Sequence, residues 1–165
     1  MSKELDKIMS QAYEYCEDGN FFEALKLYDL VLKQDPTNIN IIIDKGVTLQ
    51  NLGKIKQAIK YYDKALSIDP KNIDALVNKG ASLHTIGNYS DAILCYDSAL
   101  KIDKKCAMAL AYKGLSLGEL GNLPDALKHF KKALSIDHDY DLANISKEMV
   151  QELLKSIKQQ KAKTR

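Results

Sequence analysis

At 165 residues, with 45% hydrophobic and 28% charged side chains, the chain has the makeup of a soluble globular protein able to bury a core. A net charge of +2, with Arg165 the only arginine, argues against the strongly basic footprint of a specific nucleic-acid binder. The densest apolar run, INIIID, is far too short to span a membrane, and Cys16, Cys95 and Cys106 show no C-x-x-C spacing and cannot all pair, which argues against a disulfide framework.

The opening stretch MSKELDKIMSQAYEYCEDG is charged throughout and lacks the apolar core of a signal peptide, so a cytoplasmic location is expected. From there a pattern begins that recurs every 34 residues. The first unit, 5–38, places Ile8 and Ala12 before Gly19, then Ala24, Tyr28, Val31 and Leu32, and closes on Asp35-Pro36. The second, 39–72, has Ile42, Gly46, Leu49 and Leu52 on one helical face, then Gly53. Its second stripe runs through Ile55, Ala58, Ile59, Tyr62, Ala65 and Leu66 to Asp69-Pro70. The third, 73–106, repeats this with Leu76, Gly80, Gly87, Ala92, Tyr96, Ala99 and Asp103, and the fourth, 107–140, with Leu110, Gly114, Gly121, Ala126, Phe130, Ala133 and Asp137.

Each unit therefore reads as two amphipathic helices joined at a glycine, which suits a left-handed helix end that a side chain disfavours. Proline, lacking an amide donor, stops the second helix at Pro36 and Pro70. Gly46, Gly80 and Gly114 are expected where the two helices approach closely, facing Ala58, Ala92 and Ala126. A mid-helix glycine costs about 1 kcal/mol relative to alanine, so close packing must offset it. The lysine before each of these glycines, Lys45, Lys79 or Lys113, is expected at the stripe's edge, its methylenes over apolar surface and its ammonium in water. Residues 141–160 form one more helix, with Leu142, Ile145, Met149, Leu153 and Ile157 read as its inner face, and 161–165 is a basic tail. Glu148 falls in the glycine position, so no further hairpin docks there, and the helix reads as a cap with a charged outer face.

Period, glycine turn, alanine pair, aromatic and closing Asp-Pro together make the chain similar to the tetratricopeptide repeat (TPR) family, over residues 5–140. Two departures stand out: Ile8, Ile42, Leu76 and Leu110 replace the usual tryptophan, and Lys104 and His138 replace the closing proline in the last two units. The resemblance implies an all-α fold, a right-handed α-solenoid of four TPR helix-turn-helix units with a C-terminal capping helix, whose first helices line a concave groove.

On that basis the groove is expected to hold Met9, Tyr13, Ile43, Val47, Gln50, Val77, Asn78, Ala81, His84, Ala111, Tyr112 and Leu115. Ile43, Val47, Val77, Ala81, Ala111 and Leu115 would make an exposed apolar strip, the mark of an interaction site. The function expected is a non-catalytic scaffold binding a peptide or helix of another protein. The alternative is a structural solenoid that self-associates through its ends or its C-terminal helix, as a monomer or weak homo-oligomer otherwise. Family members that bind chaperone C-termini use a lysine, arginine and asparagine clamp; the matching positions here are Met9, Tyr13, Asp44, Asp74 and Asn78, and the two acids would repel a carboxylate. No enzyme motif, cofactor site or metal site is expected. Cys95 and His129 occupy equivalent places in successive units, but zinc calls for about four ligands, and Leu27 and Tyr61 at the matching sites supply none.

Overall fold

Asn38 and Asn72 each stand one residue before an apolar-periodic run. Their side chains accept hydrogen bonds from the amides of Ile41 (3.3 Å) and Ala75 (2.9 Å), satisfying donors that a helix start leaves unpaired. The recurring closing aspartates have a turn-forming role. Asp35, Asp69, Asp103 and Asp137 accept from the amide two residues on, at Thr37, Lys71, Lys105 and Asp139. This turn needs no proline, so the third and fourth units keep it with Lys104 and His138 in the proline position.

The computed structural model describes residues 3–163, which are all-α, with nine helices and no strand among the described residues. They are α1 (Lys3–Glu17), α2 (Phe21–Gln34), α3 (Ile39–Asn51), α4 (Ile55–Ile68), α5 (Ile73–Thr85), α6 (Tyr89–Ile102), α7 (Ala107–Glu119), α8 (Leu123–Leu134) and α9 (Asp141–Lys163). Gly19, Gly53, Gly87 and Gly121 have φ between +71° and +80°, the left-handed conformation that the turns require. The basic tail placed at 161–165 is helical through Lys163, and its last two residues lie outside those described.

The chain divides between Ile86 and Gly87 into two bodies, α1–α5 and α6–α9. In the first, α1 packs on α2 and α3 on α4, while α2 meets α3 and α4 meets α5. In the second, α6, α7, α8 and α9 pack each on the next. Each body is a short α-solenoid of stacked helices.

Within the hairpins the glycine's neighbour differs from the expectation. A Cβ on Gly46 would lie 2.5 Å from Tyr62 Cε1, and one on Gly114 would lie 2.7 Å from Phe130 Cε1. The glycine thus seats the flat aromatic ring of the second helix, rather than Ala58 or Ala126, and the ring is buried to 0–1% exposure. The alanines are wholly buried one turn earlier, holding the helices close enough for the ring to enter.

The lysines also differ. Lys45 is 7% exposed and pairs with Asp29 of the preceding second helix; Lys79 pairs with Asp63 (2.6 Å) and Lys113 with Asp97 (2.5 Å). Burial alone would lower the Lys45 pKa, but the bonds to Asp29 and to the Tyr61 hydroxyl outweigh it and raise it. Its ammonium also lies 4.8 Å from the Tyr61 ring centroid. These lysines tie each first helix to the hairpin before it. Each rung contributes about 1 kcal/mol or less, because the aspartates remain half-exposed.

Not every helical glycine is a seat. Gly118, in α7, has nothing within 4 Å of where its Cβ would stand. Gly118→Ala should therefore stabilise the chain by about 0.5–1 kcal/mol, whereas Gly46→Ala should destabilise it by about 1–3 kcal/mol through overpacking against Tyr62. Urea denaturation of the two variants measures both signs.

Candidate functional site

The first body joins successive hairpins through a polar seam beneath its first helices. Tyr28 Oη and Thr48 Oγ1 both lie within reach of Cys16 Sγ, at 3.5 and 3.4 Å. One repeat on, Gln50 Oε1 accepts from Tyr62 Oη (3.2 Å) and from Ser82 Oγ (2.8 Å). Cys16 and Gln50 occupy the same repeat position, as do Tyr28 and Tyr62, and Thr48 and Ser82. Burial pushes the Tyr28 and Tyr62 hydroxyls well above the ordinary tyrosine pKa. Gln50, expected in the peptide groove, thus uses its carbonyl to hold two hairpins together.

Other expected groove residues of the first body fall into two groups. Ile43 and Val77 are buried, at 7% and 3% exposure, and so are not open to a ligand. Ile43 is covered because it packs in a cluster with Ala75 of the following first helix. Met9, Val47, Asn78, Ala81 and His84 are half-buried, and Tyr13 is exposed. Tyr13 donates to Asp44 Oδ2 at 3.0 Å, and burial together with that carboxylate raises its pKa to about 12. Burial raises Asp44 as well, partly offset by the Tyr13 bond.

In the second body the seam changes character. Tyr96 stacks on Tyr112 with centroids 6.0 Å apart, and its buried hydroxyl has no partner at hydrogen-bond geometry, though Ser116 is near enough to ease its burial-raised pKa. One repeat further every polar member is replaced: Phe130 stands for the tyrosine, Gly118 for Cys16 and Gln50, and Val150 for Thr48, Ser82 and Ser116. With no hydroxyl to satisfy and no side chain at 118, a cleft of about 400 Å³ opens among α7, α8 and α9. Leu115, Leu123, Phe130, Met149, Val150 and Leu153 supply apolar wall, with Glu119 at its edge. Of the expected groove residues here, Leu115 lines the cleft, Tyr112 is half-buried against Tyr96, and Ala111 is fully buried against Ala143.

The inner face of α9 is not the expected stripe. Ile145, Met149 and Leu153 are 60%, 65% and 47% exposed, while Ala143 and Ser146 are buried and Val150 packs against the core. Small residues at 143 and 146 let α9 approach closely, as Ala75 and Ala109 do in earlier first helices, and the large apolar ones remain outside. The repeat register carries this signal, since Ile145 lies 34 residues after Ala111, a groove position, whereas apolarity alone groups it with the docked side. Elsewhere, His129 donates its Nδ1 proton to the Asp125 carbonyl (2.9 Å), and burial lowers its pKa; this is helix-surface bonding rather than the geometry of a ligand set.

Profiles described as tetratricopeptide repeat match residues 42–72 and 107–140, and another of the same description matches residues 61–93. No curated protein matches the sequence. Among solved structures, the chain is similar to the MamA protein with a TM-score of 0.77 and 24% identity, over 92% of this chain and 83% of the other. It is similar to YrrB, described as a TPR protein with an unusual peptide-binding site, with a TM-score of 0.73 and 23% identity, over 83% and 71%. It is also similar to the first TPR of Spaghetti (RPAP3), solved with the HSP90 peptide SRMEEVD, with a TM-score of 0.68 and 20% identity, over 70% and 92%. At these identities the likeness establishes the fold.

Because Tyr28, Tyr62 and Tyr96 are all raised, the folded chain holds protons that the unfolded chain releases near pH 10. Their contribution to stability is whole below about pH 10 and is lost as the pH climbs towards the folded values. Urea midpoints should hold steady to about pH 9 and fall beyond about pH 10, with tyrosinate absorbance rising late and together with unfolding. Early, fully reversible ionisation of all nine tyrosines without unfolding would contradict the buried seam.

Proposed function

Because the chain belongs to the tetratricopeptide repeat family, we propose that it is a non-catalytic protein-interaction module that holds a peptide or helix of another protein against its first helices. The observation that carries this reading is the apolar cleft of α7, α8 and α9, where three polar seam positions turn apolar or vanish together. A cleft of about 400 Å³ takes one large apolar anchor residue with part of its neighbours. Leu115, Met149 and Leu153 are the contacts proposed for that anchor, and Glu119 favours a basic neighbour at the edge. In the first body Val47, Asn78 and Ala81 keep the half-exposure that a peptide contact needs, whereas Ile43 and Val77 there, and Ala111 in the second body, act as supports beneath the surface.

The solved relatives lend support, since two of them are described by the peptide they bind or by a peptide-binding site. The chaperone-tail mode is disfavoured for this chain. Asp44, at a clamp position, accepts from Tyr13, and Asp74 is exposed and acidic, so neither offers a cation to a terminal carboxylate. A reducing, cytoplasmic setting suits three half-buried cysteines that form no disulfide among the described residues, and no described helix is long and apolar enough to cross a membrane.

Gly118→Leu tests the reading, because Gly118 lines the cleft and a Cβ there meets nothing within 4 Å. Peptides selected from a random display library against the wild-type chain should lose about 10- to 100-fold in affinity for the variant, the worth of one buried apolar anchor. The thermal midpoint should stay level or rise. Unchanged affinity in a well-folded Gly118→Leu protein would contradict binding at the cleft.

A further inference from the structure

The first hairpin shows what the cleft lacks. Tyr13 sets its ring edge-on to Tyr28 of the same hairpin, with centroids 6.4 Å apart, and donates its hydroxyl to Asp44 of the following first helix at 3.0 Å. In α7, α8 and α9 the same three repeat positions are Leu115, Phe130 and Ser146, and all three line the cleft. The ring to pack on and the polar atom to bond are both present there, but the phenol between them is not. Leucine is shorter than tyrosine and carries no donor.

Ser146 is 8% exposed, and its hydroxyl makes no hydrogen bond among the described residues. Ser10, Thr85 and Ser98 turn their hydroxyls to the carbonyl four residues back in their own helices; Ser146 does not. It carries the one hydroxyl among the residues lining the cleft, where the other polar side chain is Glu119 at the edge. A hydroxyl buried without a partner is costly, and a guest that bonds it recovers that cost. We propose that the anchor entering the cleft is a tyrosine of the partner peptide. Its ring packs beside Phe130 and its hydroxyl donates to Ser146 Oγ, as Tyr13 does with Tyr28 and Asp44. The open space at Gly118 lets a flat ring lie close to the backbone of α7. A leucine or phenylalanine anchor would fill the same space and leave Ser146 unbonded.

This inference rests on the cleft being the peptide site and specifies what enters it. Titration of the full chain with p-cresol and with toluene, the side chains of tyrosine and phenylalanine, separates the hydroxyl from the ring. Amide shifts at Gly118 and Val150 report the binding. Ser146→Ala should weaken p-cresol about 2- to 10-fold, the worth of one hydrogen bond, and leave toluene level. Leu115→Tyr should supply the phenol from within, raising the thermal midpoint and abolishing the shifts of both ligands. Peptides selected from a random display library should carry tyrosine at the anchor. Replacing it with phenylalanine should cost about 2- to 10-fold on the wild-type chain and nothing on Ser146→Ala. A p-cresol affinity indifferent to Ser146→Ala, or a Leu115→Tyr chain that still takes p-cresol at Gly118, would overturn the tyrosine. So would selected peptides anchored by leucine or phenylalanine that fail against Gly118→Leu, although the cleft would then stand as a peptide site. Selected peptides indifferent to Gly118→Leu would overturn both.

Discussion

The structure turns on a missing side chain. At Gly46 and Gly114 a first helix presents bare backbone to the ring of Tyr62 or Phe130, and any Cβ there would stand well inside contact distance. That approach lets an aromatic fill the hairpin's interior, where it and its flanking alanines are almost wholly buried. The glycine weakens its helix by about 1 kcal/mol, but the burial of an aromatic ring offsets this. Every later feature, from the lysine rungs to the cleft, is placed by the depth to which that ring sinks.

Once the ring is seated, its far end decides what the next seam is made of. A tyrosine brings a hydroxyl into a buried place, and a buried hydroxyl needs a partner. Cys16 with Thr48, and Gln50 with Ser82, answer that need and so bind one hairpin to the next. A phenylalanine brings no such demand. At Phe130 the partners lapse together into Gly118 and Val150, and the seam opens into an apolar cleft. The ion-pair ladder ends at the same place, since Lys131 stands where Asp29, Asp63 and Asp97 stood, and Lys147 turns to Asn144 instead. The last helix is thus docked by small residues and shape, with large apolar residues left outward.

Much of this could be read from the residues, and the exceptions share one cause. The 34-residue period, the turn glycines and the paired helices follow from spacing alone. The aspartate closing each unit was visible, although its role in holding the turn required the bonds to Thr37, Lys71, Lys105 and Asp139. Burial of Ile43 and Ala111 was not legible from one helix, because the covering surface belongs to the next repeat. The face of α9 differs from the apolar pattern for the converse reason. Its apolar stripe is the side that a further helix would cover, while Ala143 and Ser146 make the docked side. The lysine partners were within reach, since Asp29, Asp63 and Asp97 each precede the lysine they bind by 16 residues.

The claim on which the rest stands is that the seam after Phe130 is apolar and open while those after Tyr28 and Tyr62 are polar and closed. Amide chemical shifts of the full chain titrated with benzene measure this directly. The account predicts saturable shifts gathered at Leu115, Gly118 and Val150, with the amides of Gln50 and Ser82 unmoved. Shifts spread evenly over the repeats, or none at Gly118, would contradict it.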